Sequence, residues 1–148
     1  MKKLLLLSLA VSVPGCGGGG SSSPTQPTTP PAPQTSVVVQ GSGNLSAPTP
    51  QGVFATGIPF STNAAGRLDV LVDWTFASND LDFGVFQGAC SVQQFNVGSC
   101  VAIGSAESTV NKPERLTISN FSPGSYTLGV ANYGPGPEGF SYQVTLTR

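Results

Sequence analysis

The residues with the most chemical potential lie in the run Asn79-Asp80-Leu81-Asp82. In an extended chain, residues two apart point to one face, so Asp80 and Asp82 present their carboxylates together. Calcium takes roughly six to eight oxygen ligands. Asn79 can add a carbonyl oxygen, and Asp73 or Asn132 can reach in from neighbouring strands. Asp73, Asn79, Asp80 and Asp82 are therefore the candidate calcium ligands. The run lacks the dense Asp/Asn/Gly spacing of a dedicated calcium loop, so a second reading stands beside this one. In it Asp80 caps a turn, and Asp82 pairs with Arg115 or faces solvent. Apart from calcium, no cofactor is expected.

Catalysis is poorly provided for. Asp80 and Asp82 resemble a carboxylate pair for glycoside or peptide hydrolysis, but neighbours in one strand lie side by side and do not flank a substrate. The chain has no histidine, which removes the commonest general base and metal ligand. Its serines therefore lack an activating imidazole, and Lys112 sits beside Pro113 in an expected loop. The expectation is a protein that is not an enzyme. Phe95 and Tyr133 fall outside the apolar phase of any strand pattern, and are the candidate ligand contacts, able to stack on a sugar or grip a peptide. Phe95 can equally fold back under its own loop.

The elements that must position these residues are nearly all β. Leu68, Val70, Val72 and Trp74 alternate with Arg67, Asp69, Leu71 and Asp73, the period-2 pattern of a strand with one buried face. Leu81, Phe83 and Val85 repeat it, as do Leu116 and Ile118, then Tyr126, Leu128 and Val130, and finally Tyr142, Val144 and Leu146. Trp74, Phe83, Tyr126 and Tyr142 lie on the apolar phase and belong to the core. Turns rich in Gly, Asn and Pro separate these runs at 63–66, 78–79, 122–124 and 134–137. No segment of helical length shows a 3.6-residue period. These features predict an all-β chain: an antiparallel, jelly-roll-like sandwich of seven to nine strands over residues 36–148.

The N-terminus reads differently. Lys2 and Lys3 precede an apolar stretch from Leu4 to Val13. Its ten residues make roughly 15 Å of helix, about half a bilayer core, which suits a signal sequence and is too short for a span. Val13-Pro14-Gly15-Cys16 closes the stretch, and Gly17 to Gly20 follow. This resembles a bacterial lipoprotein signal, although Pro14 is unusual in it; the other reading is an ordinary secretory signal cut elsewhere, with Cys16 incidental. The resemblance implies removal of residues 1–15, lipidation of Cys16, and membrane attachment outside the cytoplasm. Because Gly17 is not Asp, the outer membrane or cell surface is favoured over the inner membrane. Residues 16–35 are Gly, Ser, Pro and Thr in the main, too apolar-poor to offset ordering entropy, and read as a disordered tether.

With Cys16 assigned to lipid, Cys90 and Cys100 remain as a pair in an oxidising compartment, and a disulfide is expected. Two ligands of a soft metal site is the other reading, but its remaining ligands are missing. The mature chain carries four basic residues against seven acidic ones, a net charge of −3. So weak and acidic a balance offers no basic patch for nucleic acid.

Several phrases of the second half recur in a known order: Gly66-Arg67-Leu68-Asp69-Val70, Asn79-Asp80-Leu81-Asp82-Phe83, Glu114-Arg115-Leu116, Pro123-Gly124-Ser125-Tyr126 and Phe140-Ser141-Tyr142. Together they resemble the bacterial pre-peptidase C-terminal domain, a β-sandwich appended to secreted proteases. The resemblance implies a non-catalytic accessory module for secretion, targeting or binding, with calcium and protein binding known among related collagenase modules. The loop between Cys90 and Cys100 lies outside the shared phrases. The combined expectation is a lipid-anchored binding module for a protein or carbohydrate. The alternative is a structural envelope lipoprotein that assembles with a partner protein.

Overall fold

The computed structural model describes residues 30–50 and 52–148. Cys16, the signal segment 1–15 and most of the tether lie outside the described residues. Residues 32–148 form one unit, built from eight strands: β1 (Thr35–Leu45), β2 (Phe54–Thr62), β3 (Gly66–Trp74), β4 (Leu81–Gln87), β5 (Ala102–Ala106), β6 (Glu114–Phe121), β7 (Gly124–Asn132) and β8 (Glu138–Thr147). Among the described residues a single short helix, α1 (Val92–Asn96), precedes β5. No helix among the described residues is long and apolar enough to cross a membrane.

The strands pair in two antiparallel four-stranded sheets, ordered β1-β8-β3-β6 and β2-β7-β4-β5. This interleaved order is that of a jelly roll, in which the chain crosses between the sheets at nearly every turn. The expected all-β sandwich is therefore the observed one. Leu68, Val70, Val72 and Trp74 of β3 face Leu81, Phe83 and Val85 of β4 and Leu128 and Val130 of β7 across the core, all of them buried. Each such side chain contributes about 1.5–3 kcal/mol by leaving water. Trp74, Phe83 and Tyr126 are buried as expected, and Tyr142 packs against the same core while half-buried.

The inner phases follow the sequence, but β7 does not stop at one face: Tyr126 to Asn132 are all buried. The cause is long-range. The chain between β4 and β5 folds back over the outer face of the second sheet and covers the centre of β7. At the opposite end of the sandwich, the β1–β2, β3–β4, β5–β6 and β7–β8 connections gather. Gly134 lets two of them touch. A Cβ there would stand 2.6 Å from both the Asn79 Cα and the Asp80 nitrogen, and backbone atoms that close cannot move aside.

Candidate functional site

The outer face of the second sheet is shaped by three glycines that pairing brings into one row. Gly57 of β2 is opposite Gly129 of β7, and Gly129 is opposite Gly84 of β4. Without side chains, this row makes a trough. The Phe86 ring lies along part of it, so that a Cβ on Gly129 would come within 2.9 Å of that ring. Phe95 of α1 meets Phe86 edge-on, with centroids 5.5 Å apart and planes at 87°. Of the candidate contact residues, Phe95 is thus half-buried against the sheet and anchors the helix there.

The loop that carries α1 is fixed at several points. Cys90 and Cys100 form a disulfide with Cα atoms 5.7 Å apart. The helix starts with a capping box: the Gln94 N–H donates to Ser91 Oγ at 3.2 Å, and the Ser91 N–H donates to Gln94 Oε1 at 2.9 Å. Thr127 Oγ1 on β7 accepts the Cys90 N–H at 3.1 Å and donates to the Gly88 carbonyl at 2.8 Å. The Gly88 N–H donates to the Ser125 carbonyl at 2.8 Å, and Gly88 takes the left-handed φ of 72° that glycine accepts readily.

Between this loop and β2 a groove of about 600 Å³ opens, lined by Pro59, Ser61, Ala89, Gln94, Ser125 and Tyr126 among others. That volume is within the range of small-molecule sites. No charged side chain lines it, and neither Phe95 nor Tyr133 does. Its polar groups are hydroxyls, one primary amide and backbone. The residues that carry this groove in the sequence, single glycines and serines in β-like runs, share a surface only once the register is known.

The acidic run lies at the other end of β7, and the structure divides the proposed ligand set. Asn79 is buried, and its amide is spent on the protein: Nδ2 donates to Glu138 Oε2 at 2.7 Å, and Oδ1 accepts the Gly136 N–H at 3.0 Å. Asp73 stands on β3 in the other sheet, where its carboxylate meets Lys112 Nζ at 3.0 Å. Asp80 and Asp82 stay together, joined by Glu107, Glu114 and Tyr133. Asn132, the further candidate oxygen ligand, is fully buried; it holds the β7–β8 turn through Gly134 and Gly136 and ties it to Ser46 in the β1–β2 connection. Among the described residues no group of three His, Cys, Asp or Glu side chains could hold a metal ion. Asp82 forms no ion pair with Arg115.

Two glutamates show how differently this end treats buried carboxylates. Glu138, 2% exposed, accepts from Thr75 N–H and Gly139 N–H on Oε1, and from Phe76 N–H and the Asn79 amide on Oε2. Burial works to raise its pKa, but these donors outweigh it and hold the group below the usual range. Glu114, 1% exposed, accepts one N–H, from Ser108, on Oε1, and its Oε2 has no hydrogen-bond partner. Burial, then the charges of Asp82, Asp80 and Glu107, push it up to about 7 against the Ser108 hydrogen bond. Burial, then Asp80 and Glu107, raise Asp82 to about 6. Tyr133 is 48% exposed beside them, and burial followed by Asp82, Glu107 and Asp80 raises its phenol.

This geometry defines an eight-stranded jelly-roll sandwich with a cross-linked groove on one sheet, and the comparisons agree on the fold. No protein-family model and no curated protein matches the chain. Among solved structures, it is similar to a mitogen derived from Yersinia pseudotuberculosis, at 14% identity over 78% of this chain and 87% of that one, with a TM-score of 0.51. It is also similar to an Aeromonas hydrophila periplasmic inhibitor of g-type lysozyme, at 14% identity over 76% of this chain and 87% of that one, with a TM-score of 0.48. At such identity the likeness is one of fold alone.

Proposed function

We propose that this chain is a non-catalytic binding module, tethered outside the cytoplasm by lipid on Cys16, whose groove between β2 and the Cys90–Cys100 loop takes a neutral glycan. The observation that carries this reading is the groove itself: preformed, uncharged, and walled by a loop that a disulfide, a capping box and Thr127 all hold in place. Hydroxyls of Ser61, Ser91 and Ser125 and the Gln94 amide suit exchange of hydrogen bonds with sugar hydroxyls. Pro59 and the edges of Phe60 and Tyr126 supply apolar contact. A rigid wall lowers the ordering cost of binding. The signal-like N-terminus and Cys16 support the anchoring, and residues 16–35 serve as the spacer. The pre-peptidase phrases support an accessory role beside other exported proteins.

The alternative, assembly with an envelope protein, draws on β1. Its eleven residues pair, among the described residues, only with β8, at one edge of the first sheet. A variant separates the two. Ser125→Arg places a long side chain in the groove, and should abolish glycan binding with the melting temperature unchanged. Retained glycan binding by this variant, or a full-length chain that binds no neutral oligosaccharide at all, refutes the glycan reading.

A further inference from the structure

We infer that the rim formed by Tyr133, Asp82 and Glu107, with Asp80 and Glu114 behind it, is a binding site for a cationic nitrogen group, a protonated alkylamine or a guanidinium. The site is separate from the groove. Ser125 and Thr127, in the groove, lie near the start of β7, whereas Tyr133 directly follows its last residue.

Pairing assembles the site from three connections. Asp82 lies opposite Ala131, two residues before Tyr133, and the Tyr133 N–H donates to the Asp80 carbonyl at 2.8 Å. Phe83 pairs with Ala106, so Glu107 continues that register beside Asp82. Like charges directly across a sheet destabilise it, and among the described residues neither Asp82 nor Glu107 is in an ion pair. Of the two basic side chains nearby, Lys112 is bound to Asp73, and Arg115 is in no ion pair among the described residues.

A second, independent feature points to a missing partner. Asp80 Oδ1 and Glu114 Oε2 are both buried with no hydrogen-bond partner. Glu114 is almost wholly enclosed, yet it feels the charges of Asp80, Asp82 and Glu107. Buried carboxylate oxygens normally find donors, and Glu138 on the same end of the sandwich finds four. This corner has acidic side chains in excess, and two of its buried carboxylate oxygens have no donor among the described residues.

The spacing favours an organic cation over a metal ion. Among the described residues no three of these acids could ring a metal, although they lie close enough to raise one another's pKa. An ammonium or guanidinium carries several N–H donors and reaches carboxylates that share no single coordination sphere. Tyr133 adds a half-exposed aromatic face, against which such cations are attracted. The same chemistry is presented by a free polyamine and by a lysine or arginine side chain of a protein.

Calorimetric titration of the full chain at low ionic strength with spermidine, with an acetylated lysine- and arginine-containing peptide, and with calcium chloride tests the site. Spermidine or the peptide should bind. Tighter spermidine binding identifies a free polyamine as the source, and tighter peptide binding a protein side chain. The double variant Asp82→Asn with Glu107→Gln should weaken binding about tenfold, as the loss of two partly exposed charge pairs implies. Tyr133→Leu should weaken it about threefold and Tyr133→Phe leave it nearly unchanged. Glu107→Gln alone, at an exposed position, provides a variant that keeps the fold if the double substitution does not. Asp69→Asn, an acid on the other sheet, should have no effect. Three results would each overturn the inference: no heat with either amine, equal weakening by Asp69→Asn, or binding of calcium alone.

Discussion

The two ends of β7 run through opposite surroundings. Around Ser125 and Thr127 the surface is uncharged, and the nearby loop is held by a disulfide and by two hydrogen bonds of Thr127. Beyond Asn132 the surface is acidic, and two carboxylate oxygens are enclosed without partners. Within the acidic end the contrast repeats at smaller scale. Glu138 sits in a complete cradle of donors and is held ionised; Glu114 has one donor and three acidic neighbours, and is held close to half-protonated at neutral pH. A buried carboxylate with a full set of donors is a fastener, joining β8 to the β3–β4 connection. One without them is a group whose state depends on what arrives from solution.

Substitutions at the two ends should differ in the size of their effects. Glu138→Ala should have the largest effect, on the order of 3 kcal/mol in urea unfolding, because four donors lose their acceptor in one step. Replacing both Cys90 and Cys100 by Ser should cost about 2.5–3 kcal/mol in the chain-entropy account, with the eight-stranded circular dichroism spectrum retained. Gly129→Ala should cost about 1–2 kcal/mol, since its new methyl meets the Phe86 ring at 2.9 Å and must shift it and the Phe95 above.

The next effect depends on pH. The raised pKa of Glu114 means that its stabilising contribution is complete below 4.5 and is lost as the pH rises to about 7. Asp82 behaves alike between 3.8 and about 6. Glu114→Gln should therefore match the parent near pH 4 and melt at a higher temperature at pH 8, the difference growing across that interval. Glu138 has the opposite sign: its contribution is present above 4.5 and lost as the pH falls through its lowered folded pKa. The smallest effect belongs to Asp69→Asn. The Arg67–Asp69 pair is exposed, so unfolding should change by less than about 0.5 kcal/mol.

Much of the sandwich could be read from alternation, and β3 is the clearest case, with Leu68, Val70, Val72 and Trp74 all inward. β2 was harder, because Gly57 and Pro59 weaken its β signal, and Pro59 is acceptable only because β2 is an edge strand. Helix α1 is five residues long, too short to show a period, and its visible mark is the Ser91/Gln94 capping pair. The acidic pair Asp80 and Asp82 was visible, but its companions were not. Glu107 reaches it from the β5–β6 connection, Glu114 from the start of β6 and Tyr133 from the β7–β8 connection, and Asn79 is drawn away by Glu138, 59 residues distant. The glycine row is the same problem on the groove side: Gly57, Gly84 and Gly129 acquire meaning only through strand register. Local patterns specify faces, whereas both candidate sites are products of pairing between distant segments.

The most direct test of the binding reading is an amide NMR titration of the full chain with neutral cello-, malto- and N-acetylated chito-oligosaccharides. At least one series should shift the resonances of residues 57–61, 88–94 and 125–127 and leave those of 80–82, 107 and 133 in place. Shifts confined to the acidic end, or no shifts with any of the three, would contradict that reading.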